Sequence, residues 1–376
     1  MNALRARIAQ EIREHGPIPF SRYMELCLYD PELGYYSRNA AQFGKAGDFY
    51  TSSDVHAVFG RLLARQFDEM WRALGSPEHI TVKELGPGRG LFAQDVLDWS
   101  EKKFPDFFRA LRYVLDERSP ELRQRIEVTL SRHFEFGKAV MSTGQDVTTP
   151  TIVFVNEFFD ALPVEVLSSE GSLHIGLSGG RLVETWALAL PEELEFLDRY
   201  SVHPEPGERL EVPLQSQRQM CRAASIERGF AVVVDYGYSR EEQLAGRHHG
   251  TLKAIRQHSV SATPYEAPGE QDITAHVNFT ALAAVAEQQG MRAQKLVTQS
   301  QLLLGIGEAN EFADAFEECH LPQERAKVAL QLKHLVTPSG MGESFQVLVA
   351  SKGVEPERVS ALAGLGFGMR AIGKRT

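Results

Sequence analysis

Apolar residues recur at helical spacing from the start of the chain (Leu4, Ile8, Ile12) and again through Val58, Leu62, Leu63 and Phe67. This pattern predicts helices over 3–15, 20–28 and 54–75. The period then changes. Residues 80–85, Ile-Thr-Val-Lys-Glu-Leu, form a short β-prone run that ends in Gly86-Pro87-Gly88-Arg89-Gly90, and an amphipathic stretch carrying Leu91, Val96 and Leu97 follows at once. That order is strand, glycine turn, helix. Three further β-prone runs, 111–115, 151–155 and 230–235, run into Asp116-Glu117, Asn156-Glu157 and Tyr236-Gly237. Helical stretches separate the first three strands, which predicts an α/β fold with a mostly parallel sheet and a ligand site at the carboxyl ends of its strands.

Between the third and fourth strands, alternating runs at 164–167, 173–177 and 182–188 predict a small antiparallel insertion on the sheet, followed by a Pro-containing stretch and a helix near 214–227. Residues 240–275, with several Gly, His and Pro, read as one long loop placed directly after a site strand. A helix over 278–289 and strands at 291–298 and 344–351 complete the pattern, and the Gly364–Gly368 cluster reads as part of a flexible tail. The expected divisions are an N-terminal helical region 1–76, a core made of 77–163 and 228–352, an insertion 164–227 and a tail 353–376.

Composition narrows the function classes. The chain has 376 residues, of which 43% are hydrophobic and 24% charged, enough for one large core plus a second lobe. A formal charge of −10 argues against an indiscriminate grip on phosphate backbones, so no nucleic-acid partner is expected and a basic partner suits the surface better. Cys27, Cys221 and Cys319 are odd in number and far apart, which suits a reducing compartment and no disulfide framework. Glu11 and Glu14 make the N-terminal helix a poor transit peptide, and nowhere do eighteen apolar residues run together. The expectation is a cytoplasmic, bacterial protein with no membrane partner. The oligomeric state is left open.

The residues with chemical potential cluster at the strand ends. Glycines at 86, 88 and 90 allow a sharp turn and close approach to a ligand, while the following helix offers unpaired N–H groups; a plain tight turn is the alternative. A dinucleotide site would show G-x-G-x-x-G and an acid about 20 residues on. Here the turn reads G-P-G-x-G, and Glu117 ends the next strand farther along. Asp116 and Glu117 point to opposite faces if the strand continues, so only one can face a ligand. The histidines 248, 249, 258 and 276 lack the spacing of a metal site and have no cysteine partners, so no metal is expected.

The segment Asn156-Glu157-Phe158-Phe159-Asp160-Ala161-Leu162-Pro163 is close to the hallmark of the MidA-like methyltransferases. Other matches follow in order over essentially the whole chain. They include Gly16-Pro17-Ile18-Pro19-Phe20, Gly34-Tyr35-Tyr36, Gly47-Asp48-Phe49-Tyr50-Thr51-Ser52, Asp235-Tyr236-Gly237-Tyr238, Asp272-Ile273-Thr274-Ala275-His276-Val277 and Met341-Gly342-Glu343-Ser344-Phe345. The chain departs from many relatives at Ser53-Asp54-Val55-His56, where they resemble S-P-E-I-S.

The resemblance implies a class I, Rossmann-like methyltransferase fold with added N-terminal helices and S-adenosyl-L-methionine (SAM) as cofactor. It places the cofactor at Glu84, Gly86, Gly88, Gly90, Glu117 and Asn156, with Asn156, Glu157 and Asp160 around the acceptor. The family's mitochondrial member is regarded as a protein-arginine methyltransferase, so a protein substrate is expected. A protonated guanidinium suits paired carboxylates, with Glu157 and Asp160 as candidates and Asp235 as a third. Asp160 could instead cap a following helix, Phe158 and Phe159 could be core, and His276 could be a buried hydrogen-bonded histidine. Tyr35, Tyr36, Phe49 and Tyr50 are candidates for a lid that excludes water. A noncatalytic assembly factor, a methyltransferase of another acceptor and a nicotinamide enzyme are the rival readings.

Overall fold

A computed structural model describes residues 2–38, 57–144, 148–256, 259–261 and 263–366. Phe49, Tyr50, the 53–56 segment and His258 lie outside the described residues. The chain forms two compact units. One comprises residues 1–49, 157–222 and 236–285, and the other 50–156, 223–235 and 286–376.

The second unit is built on the parallel sheet. Its strands run in the order Arg292–Ala293, Phe345–Lys352, Gly229–Tyr238, Thr151–Asn156, Ile80–Leu85, Leu111–Asp116, Ala139–Met141. The four pairings from Gly229–Tyr238 to Ala139–Met141 are all parallel. Successive strands step outward in one direction from Ile80–Leu85 and then return to its other side at Thr151–Asn156. The topological switch point therefore lies between these two strands, where ligands bind in such sheets. Their ends are level, because Leu85 pairs with both Asp116 and Val155.

The central strands are buried on both faces, which explains their unbroken apolar runs. Phe154 stacks on Phe92 of the helix Leu91–Lys103 with centroids 4.4 Å apart, and meets Phe67 of the helix Ala57–Ala73 edge-on at 5.6 Å. Each such buried ring contributes on the order of 2–3 kcal/mol of transfer free energy. The expected tail is packed up to Gly366: Val359, Leu362 and Ala363 are buried, and the Ala363 and Gly364 N–H groups bond to Glu69 and Gln66. Residues 353–366 thus correct the flexible-tail reading, because these long-range bonds left no local signal. The rest of the tail lies outside the described residues.

The first unit has its own core. Asn2 caps the helix Ala3–His15 by accepting from the Leu4 and Arg5 N–H groups, and Gly16 ends that helix at a positive φ of 86°. Leu4, Ile8 and Ile12 of this helix pack with Phe20, Tyr23 and Met24 of the helix Phe20–Tyr29. Val166, Leu173 and Ile175 from an antiparallel sheet join the same core. That sheet runs Ile18–Pro19, Gly171–Ser178, Glu165–Ser168, Leu210–Val212, with Arg181–Ala187 paired to Gly171–Ser178. The insertion therefore shares a core with the N-terminal helices. Residues 240–275 also differ from the expected loop: they contain a helix, Arg240–Leu244, and a three-stranded antiparallel sheet of Ser259–Val260, Lys253–Arg256 and Asp272–Thr274. Ile273 and Ala254 place this sheet in the unit's core. Strands of two to four residues are too short to show a period.

Candidate active site

In the sheet unit, the strand Ile80–Leu85 delivers its chain into a turn in which Gly86, Gly88 and Gly90 have φ of 66°, 55° and 76°. L side chains rarely adopt this region, so the turn requires its glycines. The Gly86 N–H donates to the Asp116 carbonyl at 3.1 Å and the Gly90 N–H to the Pro87 carbonyl at 2.8 Å, which ties the turn to the end of the next strand. A Cβ built at Gly88 meets nothing within 4 Å, so the backbone there faces open space. Gly90 leads into the helix Leu91–Lys103 with no side-chain cap on its first N–H groups. This is a cradle for a ligand that approaches the main chain closely.

Glu117 follows the strand Leu111–Asp116. Its Oε1 accepts from the Arg118 and Ser119 N–H groups at 2.8 and 2.9 Å, which fixes the carboxylate's direction, and burial pushes its pKa up. Asp116 instead pairs with Lys83 at 3.3 Å. Glu84 is fully buried beneath the turn and accepts from the Tyr113 hydroxyl at 2.9 Å, and burial pushes its pKa up to about 8. Asn156, half-buried, ends the strand Thr151–Asn156 beside the switch point. Asp235 is fully buried within its strand. An open groove of about 590 Å³ runs between Arg89 and Leu91 and the helix Pro120–Thr129; none of the expected cofactor residues lines it.

Residues 157–163 belong to the other unit. Glu157 sits at φ 48°, in the left-handed region, an arrangement that costs a side-chain-bearing residue about 1–2 kcal/mol. Asp160 lies in a turn with no helix before the strand Glu165–Ser168, so the capping alternative is not realised. It is buried, and its Oδ2 accepts from the Tyr236 hydroxyl. Burial raises its pKa to about 6, against the lowering effect of that bond. The Ala275 N–H donates to the Asp160 carbonyl at 2.9 Å, and the Tyr29 hydroxyl to the next carbonyl, Ala161, also at 2.9 Å.

Phe159 is core, whereas Phe158 is half-buried against it. His276 lies edge-on to Tyr236 at 5.5 Å, and its Nδ1 is 3.2 Å from Nδ1 of His248; burial pushes its pKa down to about 4. The bond from Tyr236 to Asp160 is not legible in the sequence, since a tyrosine hydroxyl's partner leaves no trace in spacing, and Tyr36, a candidate for a lid, donates its hydroxyl to Asp272 at 3.0 Å.

The glycine cradle, the oriented acid on the second strand and the level strand ends fit an adenosyl ligand carrying an amino-acid tail. The comparisons agree. The model of the family described as "Putative S-adenosyl-L-methionine-dependent methyltransferase" matches residues 62–297. The mitochondrial protein arginine methyltransferase NDUFAF7 homolog of Drosophila melanogaster is 29% identical, covering 97% of this chain and 88% of its own. The Danio rerio mitochondrial protein arginine methyltransferase NDUFAF7 is 27% identical, over 90% and 84%. The structure of a "likely methyl transferase" from Burkholderia thailandensis, bound to S-adenosyl-homocysteine, superposes with a TM-score of 0.83 at 28% identity, covering 96% of this chain and 94% of that one. The chain thus belongs to the MidA-like family of S-adenosyl-L-methionine-dependent methyltransferases, with SAM as its cofactor.

Proposed function

We propose that the chain methylates an arginine side chain of a protein substrate. Glu84, Gly86, Gly88, Gly90, Glu117 and Asn156 hold the cofactor in this reading, and Asn156, Glu157 and Asp160 serve the acceptor. When bound, SAM supplies a methyl carbon on a positively charged sulfur. The glycine turn admits the cofactor against the main chain, and the Glu117 carboxylate, aimed by two backbone N–H groups, is suited to ribose hydroxyls.

The observation that carries the acceptor half is the buried Asp160 carboxylate held by Tyr236. With its pKa at about 6 it is ionised at neutral pH, so it can grip a guanidinium that stays protonated there. It is also close enough to neutrality to take up the proton the methylated nitrogen must lose. The left-handed backbone at Glu157 supports a role beside it, because strain of this kind persists where surrounding structure enforces it. The relatives named as protein arginine methyltransferases favour arginine over other acceptors. The named relatives are mitochondrial, which stands against the cytoplasmic expectation, and the likeness to the Burkholderia thailandensis protein is compatible with a bacterial source. No helix among the described residues is long and apolar enough to cross a membrane.

The test is incubation with methyl-labelled SAM and a hypomethylated cell extract, followed by amino-acid analysis of the labelled protein. Label in methylarginine is expected. Label in any other residue, or in small molecules alone, contradicts the acceptor assignment.

A further inference from the structure

The donor to Asp160 is backed by a pair of histidines in the same unit. Gly237 pairs in parallel with Val277, so the residues just before them, Tyr236 and His276, come side by side. The Ala275 N–H donates to the Asp160 carbonyl at 2.9 Å, and the His276 ring lies edge-on to the Tyr236 ring, whose hydroxyl donates to the Asp160 carboxylate. Residues 275–276 therefore touch both the backbone of Asp160 and the donor to its side chain. They are anchored in turn. The His276 N–H donates to Thr251 Oγ1 at 3.0 Å, and the buried Glu211 accepts from the Thr251 hydroxyl at 2.9 Å and from the Thr251 and Leu252 N–H groups at 3.1 Å each. Against His276 stands His248, in the left-handed region at φ 59°, its ring stacked on Tyr238 at 5.2 Å and its Nδ1 3.2 Å from Nδ1 of His276. The next residue, His249, bonds to the Glu208 carboxylate and the Gln243 carbonyl.

A neutral imidazole has one N–H and one bare nitrogen, so two Nδ1 atoms at this distance bond only if one carries a proton and the other does not. The groups facing the pair favour neutral rings. Burial pushes the His276 pKa down to about 4, and Lys253 and His248 act in the same direction. Burial also pushes that of His248 down, with Arg247 in the same direction and Glu242 opposed. Resting on the acceptor reading above, we infer that His248 and His276 are positioning residues, whose shared Nδ1 proton braces Tyr236 on the acceptor carboxylate of Asp160. A wall that stops the Tyr236 ring from turning keeps its hydroxyl on that carboxylate, and the bond so held lowers the Asp160 pKa against the effect of burial.

The test is nuclear magnetic resonance of the full chain, isotope-labelled in its histidine rings and aspartate carboxyls. At neutral pH one of His248 and His276 should be the Nδ1–H tautomer and the other the Nε2–H tautomer. His248→Phe keeps a ring over Tyr238 and removes the nitrogen. It should raise the proton affinity of Asp160 by at least about threefold, and should raise it no further when combined with Tyr236→Phe. His248→Asn, whose amide can still donate or accept, should return it towards the wild-type value. Two Nε2–H tautomers, or a charged ring at neutral pH, overturn the shared proton; this reading of the wild type decides the matter if the Phe variant fails to fold. An Asp160 titration unmoved in folded His248→Phe, or moved equally with and without the Tyr236 hydroxyl, overturns the bracing role. None of these readings needs an acceptor. A wild type that shows them all yet forms no methylarginine in hypomethylated extract overturns the arginine reading and not the brace.

Discussion

The two units hold their charged groups by different physical means. In the sheet unit the work is done by main chain: glycines at positive φ, a helix start without a side-chain cap, and backbone N–H groups that aim Glu117. In the other unit it is done by side chains from far along the sequence, with Tyr236 on Asp160 and Tyr36 on Asp272. Main-chain devices suit a ligand common to a whole class of enzymes, because they depend on local geometry that many sequences can supply. Side-chain devices can be exchanged one residue at a time, which suits a site that must choose an acceptor.

The contrast is broken most severely at the turn. Gly88→Val puts a branched side chain into the left-handed region and into the open space where the cofactor is proposed to lie, and should weaken S-adenosylhomocysteine binding by at least about 100-fold, close to 3 kcal/mol. Gly207, at φ 89° in the other unit, also has nothing within 4 Å of a built Cβ. Gly207→Val should leave that binding unaltered in the same titration. Equal losses in both variants would show that the turn has no special part in holding the cofactor.

Removing one hydroxyl in the other unit should act through pH. Tyr236→Phe deletes a bond that lowers the Asp160 pKa, so that value should rise above about 6. The acid limb of the kcat/KM profile should move to higher pH, with a loss of about three- to tenfold at pH 7. A uniform fall with no movement of the limb would show that Tyr236 serves packing alone.

Glu157→Gly separates strain from chemistry. Glycine accepts the φ of 48° without cost, so thermal unfolding should show a gain of up to about 1 kcal/mol while methyl transfer falls. A stability gain with full activity would remove Glu157 from the acceptor site.

The smallest effect concerns Glu84. Its pKa, pushed up from 4.5 to about 8 by burial, means that its contribution to stability is fully present below about 4.5 and is lost as pH rises through about 8. Glu84→Gln, which cannot ionise, should flatten the decline of the unfolding midpoint between these values in the apo protein. Parallel slopes for the two proteins would show that Glu84 is not held neutral.

The same contrast explains what was legible in the sequence. The strands Ile80–Leu85, Leu111–Asp116, Thr151–Asn156 and Gly229–Tyr238, and the turn after the first, follow from local periodicity and from glycine's special conformations. The helices Ala3–His15 and Phe279–Gln288 were legible for the same reason. The helix Gln299–Glu308 is not among the predicted elements, yet the capping box of Thr298 and Gln301 is a local signal for its start. The short strands within 240–275 and the packed segment up to Gly366 could not be read in this way, because their partners are remote. Asp272 and Tyr36 stand 236 positions apart, so only the fold brings them together.

The most direct test of the whole account joins both units in one experiment. Wild type, Gly88→Val and Asp160→Asn are incubated with methyl-labelled SAM and hypomethylated extract, and each is titrated with S-adenosylhomocysteine. The account predicts methylarginine from the wild type alone, with S-adenosylhomocysteine binding lost in Gly88→Val and kept in Asp160→Asn. Undiminished methylarginine from Asp160→Asn would contradict it.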